Sequence, residues 1–476
     1  MDSNTPKQTR YHGLDALRGF AMILGVVLHA SMFYVEGIGS SLGYEMTGKV
    51  PPTSSIIGGL FFFIHVWRMP FFFLLAGFFT RLMIKKRGIR KLLSNRFIRI
   101  FIPLIIGMTI YNFLEFDKLT SGNMHHLWFL RDLFLMYLIA SLISYINRKT
   151  GFLTQLLSQI DGLFSSPKNL LWLTVIIFPM SFSGRIFGVF NNIQTIIFLP
   201  PGAFFSFGLL FFFIGWFIHR NPYLLSALSK YWKIYLSVGV VFFVVMTFCL
   251  TISGNFTKKA ENSGIPQEQS VTDFNEYKVE IDAALKSGKI TQEEADQKTK
   301  AVRLEHSSKP IVQKDEVLSE TEIGLAKLYA LLFVIPAAIL SPFATFLIIL
   351  GFIGGAEIFF QKKRAWVRYL VDASYWIYIV HLFIVFAIAD IILSNTGIHP
   401  ILAVFVNVVV SMLICIITYH IFVRHTPIGW ILNGRIYRPF WFSKKTVDRF
   451  CKKCNIENTE NAGFCANCGA LLNRKG

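Results

Sequence analysis

The chain alternates between long apolar runs and short connections, many of them basic. The apolar runs fall at roughly 14–35, 56–84, 97–116, 127–147, 169–184, 199–218, 232–253, 329–359, 372–394 and 400–423. Most approach the ~20 residues that an α-helix needs to cross about 30 Å of hydrocarbon. Backbone polar groups have no water to bond in lipid, so spans of this kind must be helices. The pattern predicts an all-α polytopic membrane protein of about ten transmembrane helices. The eighth run is too long for one straight span. Either Pro336 and Pro342 bend it or its start lies on the membrane surface.

Lys and Arg in the connections set an orientation. The second connection holds Lys85, Lys86, Arg87, Arg90, Lys91, Arg96 and Arg99, and the eighth holds Lys362, Lys363, Arg364 and Arg368. The tail beyond the last span adds Arg424, Arg435, Arg438, Lys444 and Lys445. The first, third, fifth and ninth connections are nearly free of such residues. Ten spans with these loops inside place both termini in the cytoplasm. Residues 255–322 differ, with ten Lys/Arg against fourteen Asp/Glu, half of the chain's 28 carboxylates. Parity puts this insert outside. It reads as a solvated insert or as a lid over an acceptor, and Thr291-Gln-Glu-Glu294 has the form of a capping box.

Composition agrees with the pattern. The chain is 53% hydrophobic, with 49 Phe and a mean hydropathy of +0.51 over 476 residues. The net charge of +19 would suggest nucleic acid in a soluble protein. Here the basic residues separate apolar runs, so they serve topology and no nucleic-acid partner is expected. The first run contains Arg18 and His29 and lacks a small-residue cleavage site, so no cleavable leader is expected.

Ionisable residues at membrane depth cost ~2.5 kcal/mol or more each, which makes each a functional candidate. Arg18 and His29 are eleven residues apart, three turns plus about 20°, so they share one face of the first helix. Their axial separation is about 16 Å. Arg18 falls near the basic mouth and His29 past the midplane, an arrangement suited to a long donor lying along the helix. A neutral imidazole is a competent base near neutral pH. The plainer readings are a snorkelling anchor for Arg18 and an interhelical hydrogen bond for His29. His65 and Arg68 lie one turn apart in the second span, with Arg68 near mid-span. They suit substrate binding, or a buried ion pair of Arg68 with Glu36 or Glu115. Glu36, Glu115, Asp117, His125, His126, Arg131 and Asp132 flank the outer ends and together could line an outward cavity. His381 falls mid-span in the ninth helix, and Glu357 at the inner rim. Arg96 and Arg99 open the third span one turn apart, as positive-inside residues or as a phosphate clamp for the donor.

These motifs resemble the membrane acyltransferase-3 family, and within it the glucan-biosynthesis protein C (succinyltransferase) branch. The matching text is Gly13-Leu-Asp-Ala-Leu-Arg18-Gly, the ten residues between Arg18 and His29, and Arg68-Met-Pro-Phe-Phe-Phe-Leu-Leu-Ala-Gly77-Phe. It continues with Arg96-x-x-Arg99 before Pro103, His126-Leu-Trp-Phe-Leu and Ser374-Tyr-Trp-Ile-Tyr-Ile-Val-His381-Leu. The resemblance covers residues 11–423 in order. It implies a ten-helix membrane domain, a cytoplasmic acyl-CoA donor and an extracytoplasmic acceptor hydroxyl. It also implies His29 as the catalytic residue, with Arg18, Arg96 and Arg99 near the donor. Glu36, His65, Arg68, His126 and His381 are further substrate or structural candidates. The 255–322 insert and the C-terminal tail depart from the pattern.

That tail carries Cys451-x2-Cys454-x10-Cys465-x2-Cys468 after a basic linker at 424–450. Two CxxC knuckles supply four thiolates for a tetrahedral Zn²⁺, which predicts a small zinc ribbon over 451–472. So short a segment needs the metal to fold, and a cytoplasmic tail is reducing. Cys249 and Cys415 fall inside spans and read as core residues.

The function these features predict is O-acyl transfer. An acetyl or succinyl group moves from cytoplasmic acyl-CoA to a hydroxyl of a cell-surface or periplasmic glycan, in a bacterial inner membrane. The alternative is a transporter or flippase that moves an acylated or lipid-linked intermediate without chemistry. Such proteins commonly show an internal repeat, and none is visible here. For the tail, the purified protein should contain about one zinc per chain. Cys465→Ser should remove it while the membrane domain stays folded, as metal analysis and thermal unfolding will show. Unchanged zinc content in that variant would contradict the four-thiolate site.

Overall fold

A computed structural model describes residues 11–47, 51–114, 125–151, 160–170, 202–221, 223–262, 319–362, 364–395 and 397–434, with a few isolated positions beside them. Among these the chain is helical and contains no strand. The helices are α1 (His12–Ser31), α2 (Ile38–Thr47), α3 (Ser55–Arg96), α4 (Ile102–Leu114), α5 (Trp128–Thr150), α6 (Gly202–Ile218), α7 (Tyr223–Asn262), α8 (Glu320–Phe359), α9 (Ala365–Asn395), α10 (Pro400–Thr418) and the short α11 (Pro427–Asn433).

Seven helical stretches among the described residues are long and apolar enough to cross a membrane, rather than ten. One of them, Ser55–Ile110, holds two of the predicted spans. Gly88 divides it, with φ 80° and ψ 169°, a conformation that a residue with a Cβ rarely adopts. The break falls in the basic stretch that the charge pattern reads as a connection. A five-residue π-turn at Phe97–Phe101 then leads into α4. The predicted sixth span is the shorter apolar helix α6. Most of the predicted fifth, 169–184, lies outside the described residues, as do Glu115, Asp117 and most of the insert. The outward faces carry exposed Val241, Phe248, Leu331, Leu332, Ile417 and Phe422. So large an apolar surface suits lipid contact.

The long eighth run forms one continuous helix. Pro336 and Pro342 both sit inside the single 40-residue helix α8. It runs alongside α7, also 40 residues. At 1.5 Å per residue each is about 60 Å long, twice the hydrocarbon thickness. Towards the insert, Ser253 Oγ donates to the Ala330 carbonyl and Phe256 stacks on Tyr329, so the two helices stay paired there. Ser319 caps α8 through a reciprocal bond with Glu322. Within the insert, Thr291 and Glu294 make both bonds of the predicted capping box.

Helices in lipid gain nothing by hiding apolar surface from one another, so small residues that permit close approach govern their packing. The crossing of α3 and α6 shows this twice. A Cβ on Gly77 would lie 1.7 Å from the Phe212 carbonyl oxygen, and one on Gly215 would lie 1.8 Å from that of Leu74. Both obstacles are backbone and cannot rotate away. Helix α1 is central, packing on α3, α8, α9 and α10. Cys249 and Cys415 are buried, as expected of core residues. Gly77→Val should therefore separate α3 from α6. We expect a loss of at least ~1–3 kcal/mol, read as a lower unfolding temperature in detergent. Gly58, whose Cβ would meet nothing within 4 Å, is the control: Gly58→Ala should leave that temperature unchanged or slightly raised.

Candidate active site

The polar residues of the bundle gather in two zones along one axis. The first is a cavity of about 550 Å³ at the basic end, within the ~300–1,000 Å³ usual for ligand sites. Arg18 of α1, Arg87 and Arg96 of α3, Arg99 of the π-turn and Arg368 of α9 all line it. A shallower extension of about 310 Å³ continues it past Lys86 and Asp15. Further in, the lining turns apolar and aromatic, with Phe72, Phe129, Leu130 and Leu133, and Tyr378 borders it.

The arginines are not equivalent. Arg96 lies over the Tyr137 ring at 4.7 Å, and its buried Nε has no hydrogen bond among the described residues. Arg18 is 38% exposed, 3.4 Å from Asp15 and over the Phe79 ring at 5.8 Å, so its guanidinium can turn into the cavity. Arg368 is held by Asp372 at 3.2 Å, and Tyr437 donates to the same carboxylate. Arg99 differs from the phosphate clamp that its spacing suggests. Its Nε and Nη2 both donate to the Leu432 carbonyl, at 3.0 and 2.7 Å, and Tyr375 bonds its carbonyl. It fastens α11 to the cavity rim, where Leu432, Asn433 and Gly434 form part of the wall. Five arginines against one lining aspartate give the cavity a strong positive bias, which suits a polyanionic ligand.

The second zone adjoins the cavity at Tyr378. The Tyr378 carbonyl accepts from His126 Nε2 and from His381 Nδ1, both at 2.9 Å. Its hydroxyl donates back to the His126 carbonyl at 2.6 Å. His381 Nδ1 also reaches the Ile377 carbonyl at 2.9 Å. The His381 ring lies 5.3 Å from that of His126 and 5.1 Å from that of His29. Helices α1 and α9, with the turn before α5, thus bring three histidines together. Arg68 of α3 joins them from a buried position, its Nη1 filling the space above Gly25, one turn before His29. Its hydrogen bond is a weak one to the Met69 sulfur, and its Nε has none. His65 stands one turn away, stacked on Phe61.

The predicted ion pair of Arg68 with Glu36 does not form. Glu36 lies outside the bundle, 2.6 Å from Lys258 of α7, with both side chains well exposed. The Lys258 ammonium holds its carboxyl below the ordinary carboxylate range. Glu36 therefore leaves the site, and Arg68 has no carboxylate partner among the described residues. Asp132 pairs with its neighbour Arg131 at 2.8 Å. Glu357 is partly buried, its Oε1 unpaired at the basic end of α8. In the tail, Cys454 and Cys468 are half-buried, whereas Cys451 and Cys465 lie outside the described residues. The donor set, four thiolates in two CxxC pairs, fits zinc.

Sequence reasoning missed Tyr378, Asp372, Tyr137 and the α11 turn. Tyr378 was visible in principle. It precedes His381 by three residues, which puts its carbonyl within reach of that ring on the same helix. Asp372 offered the signal of a carboxylate at the start of an apolar run. Nothing in the sequence links Leu432 to Arg99, because that bond joins positions 333 residues apart.

The geometry can be set beside known proteins. Over 156 residues the chain is 27% identical to Glucans biosynthesis protein C of Escherichia coli O1:K1 / APEC, and equally to the proteins of that name from strains O139:H28 and O157:H7. That alignment takes in 28% of this chain and 38% of those relatives, so the match spans well under half of their length. No solved structure matches. The family model for the acyltransferase domain matches residues 11–275, more than half of the chain, and covers α1 with Arg18 and His29, α3 with Arg68 and Arg96, and the turn with His126. This protein is an acyltransferase of the acyltransferase-3 family, built into a multi-pass membrane bundle.

Proposed function

We propose that the protein takes an acyl group, acetyl or succinyl, from acyl-CoA at the basic end. It transfers the group to a hydroxyl of a carbohydrate arriving from the other face. The observation that carries this is the line-up of the two zones. A basic cavity, lined elsewhere by apolar side chains, reaches Tyr378, and Tyr378 bonds two of the three clustered histidines. Arg18 and Arg96 suit the phosphates of CoA. The apolar lining suits the pantetheine arm and brings the thioester towards His29. A carbohydrate acceptor agrees with the glucans in the relatives' name. The charge pattern assigns the basic end and both termini to the cytoplasm of a bacterium, and the cysteine tail to a structural zinc. The flippase reading leaves a lone guanidinium beside a histidine cluster without a task.

The reaction follows from these groups. His29 removes the proton from the acceptor hydroxyl as its oxygen attacks the thioester carbonyl. Negative charge develops on the carbonyl oxygen, and Arg68, buried and without a carboxylate partner among the described residues, stabilises it in a low dielectric. The C–S bond breaks, the ester forms, and the CoA sulfur leaves with the proton from the His29 imidazolium. One thioester and one alcohol give one ester and one thiol.

Two outcomes test this reading. His29→Ala should lower transfer by ~10²–10⁴-fold with little change in CoA affinity, because a base acts in the transition state. Arg18→Ala and Arg96→Ala should instead weaken donor binding. CoA titration and turnover in one purified preparation separate these effects. Equal loss of binding and turnover in His29→Ala would make His29 a binding residue. The second outcome concerns Gly25. An alanine Cβ there would stand 2.1 Å from Arg68 Nη1. The obstacle is the end of a flexible side chain, so the guanidinium moves and the fold survives. Gly25→Ala should leave the unfolding free energy within ~1 kcal/mol and cut turnover by about 10-fold or more through misplacement alone.

A further inference from the structure

We propose that His381 is the positioning residue of the catalytic base, holding His29 through an imidazole–imidazole hydrogen bond. This rests on the catalytic reading of His29 given above. The argument starts from tautomers. His381 Nδ1 faces two backbone carbonyls, those of Ile377 and Tyr378, both at 2.9 Å. Carbonyls only accept, so Nδ1 carries the proton. In a neutral imidazole Nε2 is then a bare lone pair. That nitrogen is buried and has no partner among the described residues. A buried acceptor without a donor costs ~1–3 kcal/mol, so a site that keeps one has a use for it. The ring beside it is His29, with centroids 5.1 Å apart and planes tilted by 49°. His29 Nδ1 is likewise buried and without a partner.

The two unpaired nitrogens complement each other. When His29 carries its proton on Nδ1 and donates it to His381 Nε2, its own Nε2 becomes the lone pair that meets the acceptor hydroxyl. A base oriented by a third group is the general form of such sites. A carboxylate usually fills that place. Here a neutral imidazole does so, and Tyr378 locks its tautomer. The groups facing the pair are Arg68 and His65 from α3 and His126 from the turn before α5, with Tyr378 on α9 itself. None is a carboxylate, so no other acceptor of that kind competes for the His29 proton. The Tyr378 hydroxyl, donating to the His126 carbonyl, gives the tyrosine side chain its own part in this arrangement.

The test uses the full-length protein in detergent with acetyl-CoA or succinyl-CoA as donor and a glucan oligosaccharide as acceptor. His381→Leu removes the acceptor nitrogen. It should lower kcat by about 100-fold or more and leave KM for acyl-CoA unchanged. His381→Gln restores a side-chain oxygen that can accept, and should recover at least ~10-fold over the leucine variant. Glutamine does not titrate, so the acid limb of the kcat–pH profile should persist in His381→Gln. Equal losses in the two variants, a loss in KM rather than kcat, or disappearance of the acid limb would each overturn the proposal. Monodisperse elution and an unchanged unfolding temperature of His381→Gln identify a folded protein. An active His29→Ala would sink the underlying reading, whereas an inactive His29→Ala beside a fully active His381→Leu would sink only the positioning role.

Discussion

A polar group placed in hydrocarbon must find its partner inside the protein, and the bundle is arranged around that need. The Tyr378 carbonyl is the centre of the solution. It bonds His126 from one side and His381 from the other, while the Tyr378 hydroxyl returns to the backbone at His126. These bonds join α9 to the turn before α5. They also set the position of the ring that touches His29 on α1. That carbonyl orients both imidazoles, with the Ile377 carbonyl as a second partner for His381. Of the polar atoms left unpaired there among the described residues, the His29 and His381 nitrogens belong to adjacent rings, and Arg68 Nε stands out as available to a ligand.

The same logic separates structural from ligand-directed arginines at the basic end. Arg99 spends two donors on Leu432 and holds α11 in the cavity wall. Arg368 is committed to Asp372, which Tyr437 also bonds. Arg96 has a ring beneath it and an unpaired Nε. The segment after the last span is therefore part of the basic cavity's wall.

Much of this was legible in the sequence, for physical reasons. Span positions follow from apolar length, and the break at Gly88 falls where the basic residues cluster. The eleven-residue spacing of Arg18 and His29 fixes a shared face because helix geometry is rigid, and the structure puts Arg18 at the cavity and His29 beside His381. The partners of these residues were less legible. Charge alone offered Glu36 to Arg68, yet Lys258, 222 residues away, takes it. The Arg96 and Arg99 spacing suggested equal roles, but their neighbours come from α5 and α11 and make them different. Long-range contacts of this kind leave no periodic trace in a single chain.

Vectorial transfer is the central claim, and sidedness tests it most directly. The purified protein would be reconstituted into vesicles in one orientation, with labelled acyl-CoA supplied on the face of the basic cavity and a glucan oligosaccharide on the other. Acyl-CoA does not cross the bilayer. The account predicts labelled ester on the oligosaccharide and CoA released on the donor side, with neither formed when donor and acceptor are both confined to the acceptor face. Ester formed from donor and acceptor placed together on that face, or label crossing without any ester, would contradict it.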